Sequence, residues 1–341
     1  MKSNTRILLI YTGGTIGMVK DYETGALKAF DFDKLLASVP ELSQLSCEIQ
    51  TIQFPKPIDS SNMNTDYWKL LASMLEDNYD SFDGFVVLHG SDTMSYTASA
   101  ISFMLENLGK PVVFTGSQLP IGDLRTDAKE NLITSIQIAS LQEDGVSVIN
   151  EVCLYFEYKL YRANRTTKIN AEHFEAFASL NYPPLAESGV HLKLNRENLL
   201  RKPRKRLKVH KELDNRLAVL KLFPGISENV VLSIFKIPDL KAVILESYGS
   251  GNAPTDEWLL SIIEEAIQNG IFVIGVTQCS GGAVFLGQYE TSARLKDSGV
   301  ISGKDITTEA AVAKIMYLLG SGVGQKVFKT IFETSLRGEM L

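Results

Sequence analysis

The sequence predicts a two-domain α/β protein built on parallel-type sheets. Three observations carry this reading. The chain has 341 residues, a length that suggests about two domains. Short apolar runs alternate with longer amphipathic segments, and one polar, basic stretch near residues 190–216 interrupts that alternation. Continuous apolar strands separated by helices are the pattern of a parallel sheet covered on both faces.

The apolar runs are Ile7–Tyr11, Phe85–Leu88, Val112–Phe114, Val152–Phe156, Leu217–Leu222, Ala242–Leu245 and Phe272–Val276. Most end in Gly, Thr, Ser or Pro. Helical periodicity marks Thr65–Leu75, Asp92–Leu105, Asp127–Leu141 and Thr255–Ile267. Asp92 stands as a first-turn acid, and Thr255, just after Pro254, as an N-cap. In the interruption, six of the eight residues Arg201–Lys208 are Lys or Arg. Such a run reads either as a nucleic-acid or targeting patch or as a solvated linker, and the linker is the plainer reading in an acidic chain. The predicted organisation is an N-terminal α/β domain (1–193), a linker (194–216) and a smaller C-terminal α/β domain (217–341).

Composition excludes several classes. Hydrophobic residues make up 45% and charged residues 22%, an ordinary globular balance. A chain of this size buries a large core without disulfides or a structural metal. The 34 Lys and Arg against 40 Asp and Glu leave a net charge of −6, which argues against a general nucleic-acid binder. Cys47, Cys153 and Cys279 are widely spaced and odd in number, and the four histidines show no ligand spacing, so neither a disulfide framework nor a zinc site is expected. The N-terminal apolar run is too short for a signal sequence, and no stretch approaches the roughly 18 apolar residues of a membrane span. The expectation is a reduced, cytoplasmic protein without membrane contact.

In open parallel sheets, ligands bind beyond the carboxyl ends of the strands. The first strand is followed by Thr12-Gly13-Gly14-Thr15-Ile16-Gly17 and the second by His89-Gly90-Ser91-Asp92-Thr93-Met94. Between those strands lies Ile58-Asp59-Ser60-Ser61-Asn62-Met63, and beyond the fourth lies Asn164-Arg165-Thr166-Thr167-Lys168. The glycine pair lacks the lysine and the spacing of a phosphate loop. It reads better as a turn that presents the Thr15 hydroxyl. A hydroxyl needs a base to become a nucleophile, and a lysine held by a carboxylate can serve. Ser91, Asp92 and Lys168 together make such a relay, and backbone N–H groups at helix starts are suited to an oxyanion. Taken singly, Thr15 is a turn residue, Asp92 a helix cap and Lys168 a surface lysine. Their coincidence at one sheet edge favours the relay.

At these residues the sequence resembles the L-asparaginase family, in its bacterial cytoplasmic (type I) branch. The family signature T-G-G-T-I is matched by Thr12–Ile16, H-G-T-D-T-M by His89–Met94 with one change, and N-R-x-x-K by Asn164–Lys168. Further matches are Asp59–Met63, Ser247–Gly249, Gly251–Pro254 and Thr277–Cys279. The resemblance implies a larger flavodoxin-like N-terminal domain, a linker and a smaller C-terminal α/β domain. It implies hydrolysis of L-asparagine to L-aspartate and ammonia without a cofactor. By position, Thr15 attacks the side-chain amide, and Ser91, Asp92 and Lys168 form the second triad. Asp92 also binds the substrate amino group, Ser60 helps hold its carboxylate, and Asp59 and Ser61 belong to the same loop.

Two positions depart from the family pattern. Ser91 replaces a threonine, keeping the hydroxyl and losing the methyl that restricts its rotamer. The family position of the loop tyrosine that closes over the nucleophile falls on Ala26 rather than Tyr22, depending on where a gap is placed, and Tyr22 is the candidate to supply the ring from a shifted place. Type I relatives also bind a second asparagine, at positions that match Thr167 and Cys279, which implies homotropic activation; Cys279 reads equally as a small buried hydrophobe. Family sites are completed within a homo-oligomer, a dimer or dimer of dimers, and Asn252 is the candidate for the residue contributed across that interface, although its turn alone explains an Asn. The alternatives are a glutamine-preferring relative and a catalytically weak member that binds an amino acid. An amidotransferase subunit is disfavoured, because the chain enters its first strand at once.

Overall fold

The computed structural model describes residues 5–20, 27–29, 39–288 and 290–341. The chain divides into two compact units, Met1–Lys211 and Glu212–Leu341.

The first unit is built on an eight-stranded sheet. Its strands are β1 (Thr5–Gly13), β2 (Cys47–Ile58), β3 (Gly84–Leu88), β4 (Val112–Thr115), β5 (Val152–Phe156), β6 (Lys159–Arg162), β7 (Ala186–Glu187) and β8 (Lys193–Leu194). Their order across the sheet is β8-β7-β6-β5-β4-β3-β1-β2. The five strands from β5 to β2 are mutually parallel. The last three pair antiparallel, as short hairpin-linked edge strands that the apolar pattern does not announce. β3, β4 and β5 are buried along their whole length, as expected for central strands covered on both faces. Each fully buried Val, Leu, Ile or Phe there contributes about 1.5–3 kcal/mol.

Among the described residues, the helices of this unit are α1 (Thr65–Asn78), α2 (Met94–Met104) and α3 (Ala128–Ala139). The Asn64 side chain caps α1 by accepting from the N–H groups of Asp66 and Tyr67. Every residue of α2 except Tyr96 is buried, which its many Ala and Ser residues permit. Asp92 is not in this helix: it sits in a separate 3₁₀ turn, Ser91–Thr93, ahead of Met94. The strand β2 is absent from the predicted runs. It lies at a sheet edge, its burial alternates, and its sequence mixes Gln, Thr and two prolines, the pattern of an edge rather than a core strand.

The second unit is a four-stranded, all-parallel sheet in the order β9 (Leu217–Lys221), β10 (Ala242–Ser247), β11 (Phe272–Thr277) and β12 (Ile301–Ser302). Helices include α4 (Glu228–Phe235), α5 (Glu257–Gln268), α6 (Glu290–Asp297), α7 (Thr308–Gly320) and α8 (Gln325–Phe332). α5 buries Leu259, Leu260, Ile262, Ile263 and Ala266, the stripe that its 3–4 spacing encodes. Its N-cap is Asp256, not Thr255: the chain is still extended at Asp256, so helical geometry starts one residue later than the Thr255 reading requires. Lys314 of α7 is fully buried and paired with the equally buried Glu339.

The basic stretch is not a free tether. Leu200 N–H donates to Glu151 Oε1 at 2.7 Å, Arg162 Nη2 donates to the Asn198 carbonyl at 2.8 Å, and Lys208–Val209 pair antiparallel with Leu105–Glu106. Both ends of 200–209 are fastened to the first unit. Among the described residues, no helix is long and apolar enough to cross a membrane.

Candidate active site

The carboxyl ends of the parallel strands in the first unit carry the predicted residues. β1 runs into Gly13 and Gly14, both at positive φ (129° and 92°), a conformation that disfavours any side chain. Contact adds to the requirement. A Cβ on Gly13 would lie 2.0 Å from the Ile58 carbonyl oxygen, and one on Gly14 2.5 Å from the Gly90 backbone. The two glycines thus let the turn bearing Thr15 lie directly against the Ile58–Ser60 loop and the His89–Ser91 loop. Thr15 follows in a 3₁₀ turn, Thr15–Gly17, and is half-buried. Its hydroxyl has no hydrogen-bond partner among the described residues. Beneath the turn, the buried Tyr11 ring fills the space that a side chain on Gly17 would need, and burial pushes its hydroxyl pKa up to about 12.

Lys168 is presented by a local device. Asn164 and Arg165 are buried in the 3₁₀ turn Ala163–Arg165, and Thr166 donates to the Ala163 carbonyl at 2.7 Å. The chain then enters a two-residue ladder, Thr167–Lys168 against Phe177–Ala178. Lys168 Nζ donates to Ser91 Oγ at 2.9 Å and to Asp92 Oδ1 at 2.7 Å. The three residues read as a relay from sequence therefore meet, with the lysine mostly covered and Asp92 largely exposed.

The loop before α1 is fastened to the same turn. Thr93 Oγ1 donates to the Ser60 carbonyl at 2.8 Å, and buried Ser60 packs its Oγ against Gly90. Asp59 Oδ1 accepts from Ser61 N–H at 2.8 Å and Ser61 Oγ at 2.7 Å. Those two bonds, the backbone one first, hold its pKa below the usual carboxylate value.

The sequence reading overlooked Gln118. Ser91 Oγ donates to Gln118 Oε1 at 3.3 Å, while Gln118 Nε2 donates to the Ala171 and His173 carbonyls at 3.2 and 3.0 Å. Its own N–H, with that of Leu119, is held by Asp127. Gln118 follows β4, so inspecting that strand's carboxyl end by the rule applied to its neighbours would have found it. His89 lies just behind the turn, 1% exposed. Its Nδ1 is 2.7 Å from the Gly90 carbonyl, and since a carbonyl only accepts, Nδ1 carries the proton. Burial lowers its pKa to about 4, so the ring is neutral at physiological pH.

Tyr22 and Ala26 lie outside the described residues. Thr167 is half-buried in its ladder. Cys279, in the second unit, is exposed rather than buried, and its N–H donates to Thr277 Oγ1 at 3.1 Å. Asn252 closes a tight loop through paired backbone bonds with Tyr248, both 2.8 Å. Among the described residues, no group of three or more His, Cys, Asp or Glu is arranged to hold a metal.

A parallel α/β sheet with hydroxyls, a lysine and a carboxylate gathered at its carboxyl edge places the molecule among α/β proteins whose site is built from strand-end loops. The comparisons make this specific. The family model "Asparaginase, N-terminal" matches residues 6–200, and "Glutaminase/Asparaginase C-terminal domain" matches 216–332. L-asparaginase 1 of Escherichia coli (strain K12) is 42% identical over 98% of this chain and 97% of its own. The crystal structure of L-asparaginase I from Vibrio cholerae superposes with a TM-score of 0.91 at 41% identity, covering 99% of this chain and 100% of that one. The 60 kDa lysophospholipase of Mus musculus is 39% identical over all of this chain and 63% of its own length. This chain belongs to the asparaginase family.

Proposed function

We propose that the protein is a cytoplasmic L-asparagine amidohydrolase, converting L-asparagine to L-aspartate and ammonia through an acyl-enzyme on Thr15. The observation that carries this reading is Lys168 Nζ bonded to both Ser91 Oγ (2.9 Å) and Asp92 Oδ1 (2.7 Å), beside the glycine turn that bears Thr15, in a chain of this family.

The substrate α-amino group pairs with the exposed Asp92 carboxylate, and its α-carboxylate is held by the Asp59–Ser61 loop. Thr15 Oγ1 attacks the side-chain amide carbon. The carbonyl π pair moves to oxygen, where backbone N–H groups of the adjoining 3₁₀ turns stabilise it. The Thr15 proton passes to the leaving nitrogen, the C–N bond breaks and ammonia departs. Water, deprotonated through the Ser91–Lys168 pair, then attacks the ester, releasing aspartate and returning the proton to Thr15. The enzyme acts as a homo-oligomer, with Asn252 contributing to a neighbouring subunit's site. A second asparagine, recognised through Thr167 and Cys279, activates it.

The test is ammonia release across a range of L-asparagine concentrations, with L-glutamine in parallel, for the wild type and Thr15→Ala. Loss of about 10⁴-fold or more in kcat with an unchanged circular dichroism spectrum is expected for the variant. Near-normal turnover there removes Thr15 from the mechanism. A sigmoidal asparagine curve supports the second site, and a hyperbolic one removes it while leaving the enzyme.

A further inference from the structure

The basic stretch that the catalytic reading leaves unused borders a cleft of about 560 Å³, within the size range of small-ligand sites. One wall is Lys202, Lys205 and Arg206; the other is the C-terminal end of α1 with Glu76, Tyr79 and Asp80. All six cations of Arg201–Lys208 are exposed, and none forms an ion pair with a described residue. Of the acids opposite, Glu76 is paired with Lys211 at 2.6 Å, and Asp80 lies within Coulombic reach of Lys110, which it shares with Asp83. Lys110 is committed further, donating to the Phe82 carbonyl at 2.7 Å. Cations therefore outnumber acids in the lining, with Lys202, Lys205 and Arg206 on a segment pinned at both ends and so pre-organised rather than floppy.

We propose that this cleft binds a compact polyphosphate anion, either an inorganic polyphosphate or the phosphate chain of a nucleotide, through Lys202, Lys205 and Arg206. Arg forks onto phosphate oxygens and Lys neutralises them as point charges. Three features point to a compact ligand. The protein as a whole carries −6, which repels a long polyanion beyond the cleft. The Tyr79 ring has Lys110 Nζ 4.6 Å from its centroid and stacks with Phe85 at 6.2 Å, so it offers no open face to a base. No large apolar side chain is exposed along 201–208, so the surface lacks the anchor of a membrane-binding segment. The cleft sits at the end of α1 opposite the Asp59–Asn62 loop, about 20 Å away along the helix, and forms no part of the candidate active site.

The test is calorimetric titration of the full-length protein at low ionic strength with tripolyphosphate, ATP, sulfate and a single-stranded RNA oligomer. Saturable binding of one tripolyphosphate per chain, weakening as salt is added, is expected. The triple variant Lys202→Ala, Lys205→Ala, Arg206→Ala should weaken it about tenfold or more. A control with the same charge change, Lys236→Ala, Lys241→Ala, Lys326→Ala, should not, and both variants should release ammonia from asparagine like the wild type. Equal affinity for ATP and tripolyphosphate assigns recognition to the phosphate chain alone; tighter ATP assigns the nucleotide as the source. The proposal is overturned if neither binds saturably, if sulfate binds as tightly, if both triple variants behave alike, or if only RNA binds in a manner sensitive to the cleft variant.

Discussion

Lys168 Nζ and Ser91 Oγ, 77 residues apart in sequence, are 2.9 Å apart in the folded chain. One comes from a two-residue ladder near the antiparallel edge, the other from the turn after β3. The bond exists because the sheet brings the carboxyl ends of its strands to one side and because the buried Asn164–Arg165 turn fixes where the ladder begins.

Lys168→Met removes the group proposed as the base for Ser91 while keeping the apolar stem. Turnover of asparagine should fall by about 10²–10⁴-fold, the usual contribution of a positioned acid–base group. Stability should hold, since Asp92, the acid that loses its cation, is largely exposed and stays hydrated. Ammonia release and urea midpoints measured on one preparation check both; full activity would take the lysine out of the chemistry.

Gln118→Ala cuts the tie between Ser91 and the Ala171–His173 segment. With Ser91 freed to change rotamer, kcat should fall about tenfold or more. Gln118→Glu should also lose activity, because a carboxylate cannot donate to the two carbonyls. The check is kcat and KM for the pair of variants; a change confined to KM would mean that Gln118 serves binding rather than positioning.

His89 links pH to stability. Its folded pKa, about 4, lies below the unfolded value of 6.5, so between these limits the unfolded chain binds more protons. Stability therefore rises with pH through that window, is fully present above about 6.5 and is lost as pH falls towards 4. The displacement corresponds to about 3 kcal/mol. In His89→Gln the drop in denaturation free energy between pH 7 and pH 4.5 should be smaller than in the wild type by most of that amount. Parallel curves for the two proteins would contradict the assignment.

Lys314 and Glu339 hold the C-terminal segment to α7. Lys314 Nζ also donates to the Phe332 and Thr334 carbonyls, both at 2.7 Å, while Glu339 accepts from the N–H groups of Leu336 and Arg337. Lys314→Met should destabilise the second unit by about 3–5 kcal/mol, because it leaves a buried carboxylate without its cation. Adding Glu339→Gln should recover part of that loss. Urea denaturation monitored at Trp258, within the second unit, reads both.

The central strands and the loops that follow them were legible in the sequence because the information is local. Runs such as Phe85–Leu88 are apolar without interruption, and Gly13–Gly14 or Asn164–Lys168 stand directly at strand ends. The family motifs added which residue types belong at those ends. Less was legible where a residue's partner is distant. Gln118 looks like any polar loop residue until Ser91 and the Ala171–His173 carbonyls surround it. The strand Cys47–Ile58 is half polar and becomes a strand by pairing with β1. The basic run reads as linker until Glu151 and the Leu105–Glu106 edge are seen to fasten it. Local chemistry thus determined which elements form and which side chains stand at their ends. Tertiary structure decided which of those ends meet, because a hydrogen bond across 77 residues depends on sheet order and register, and neither is written in any one segment.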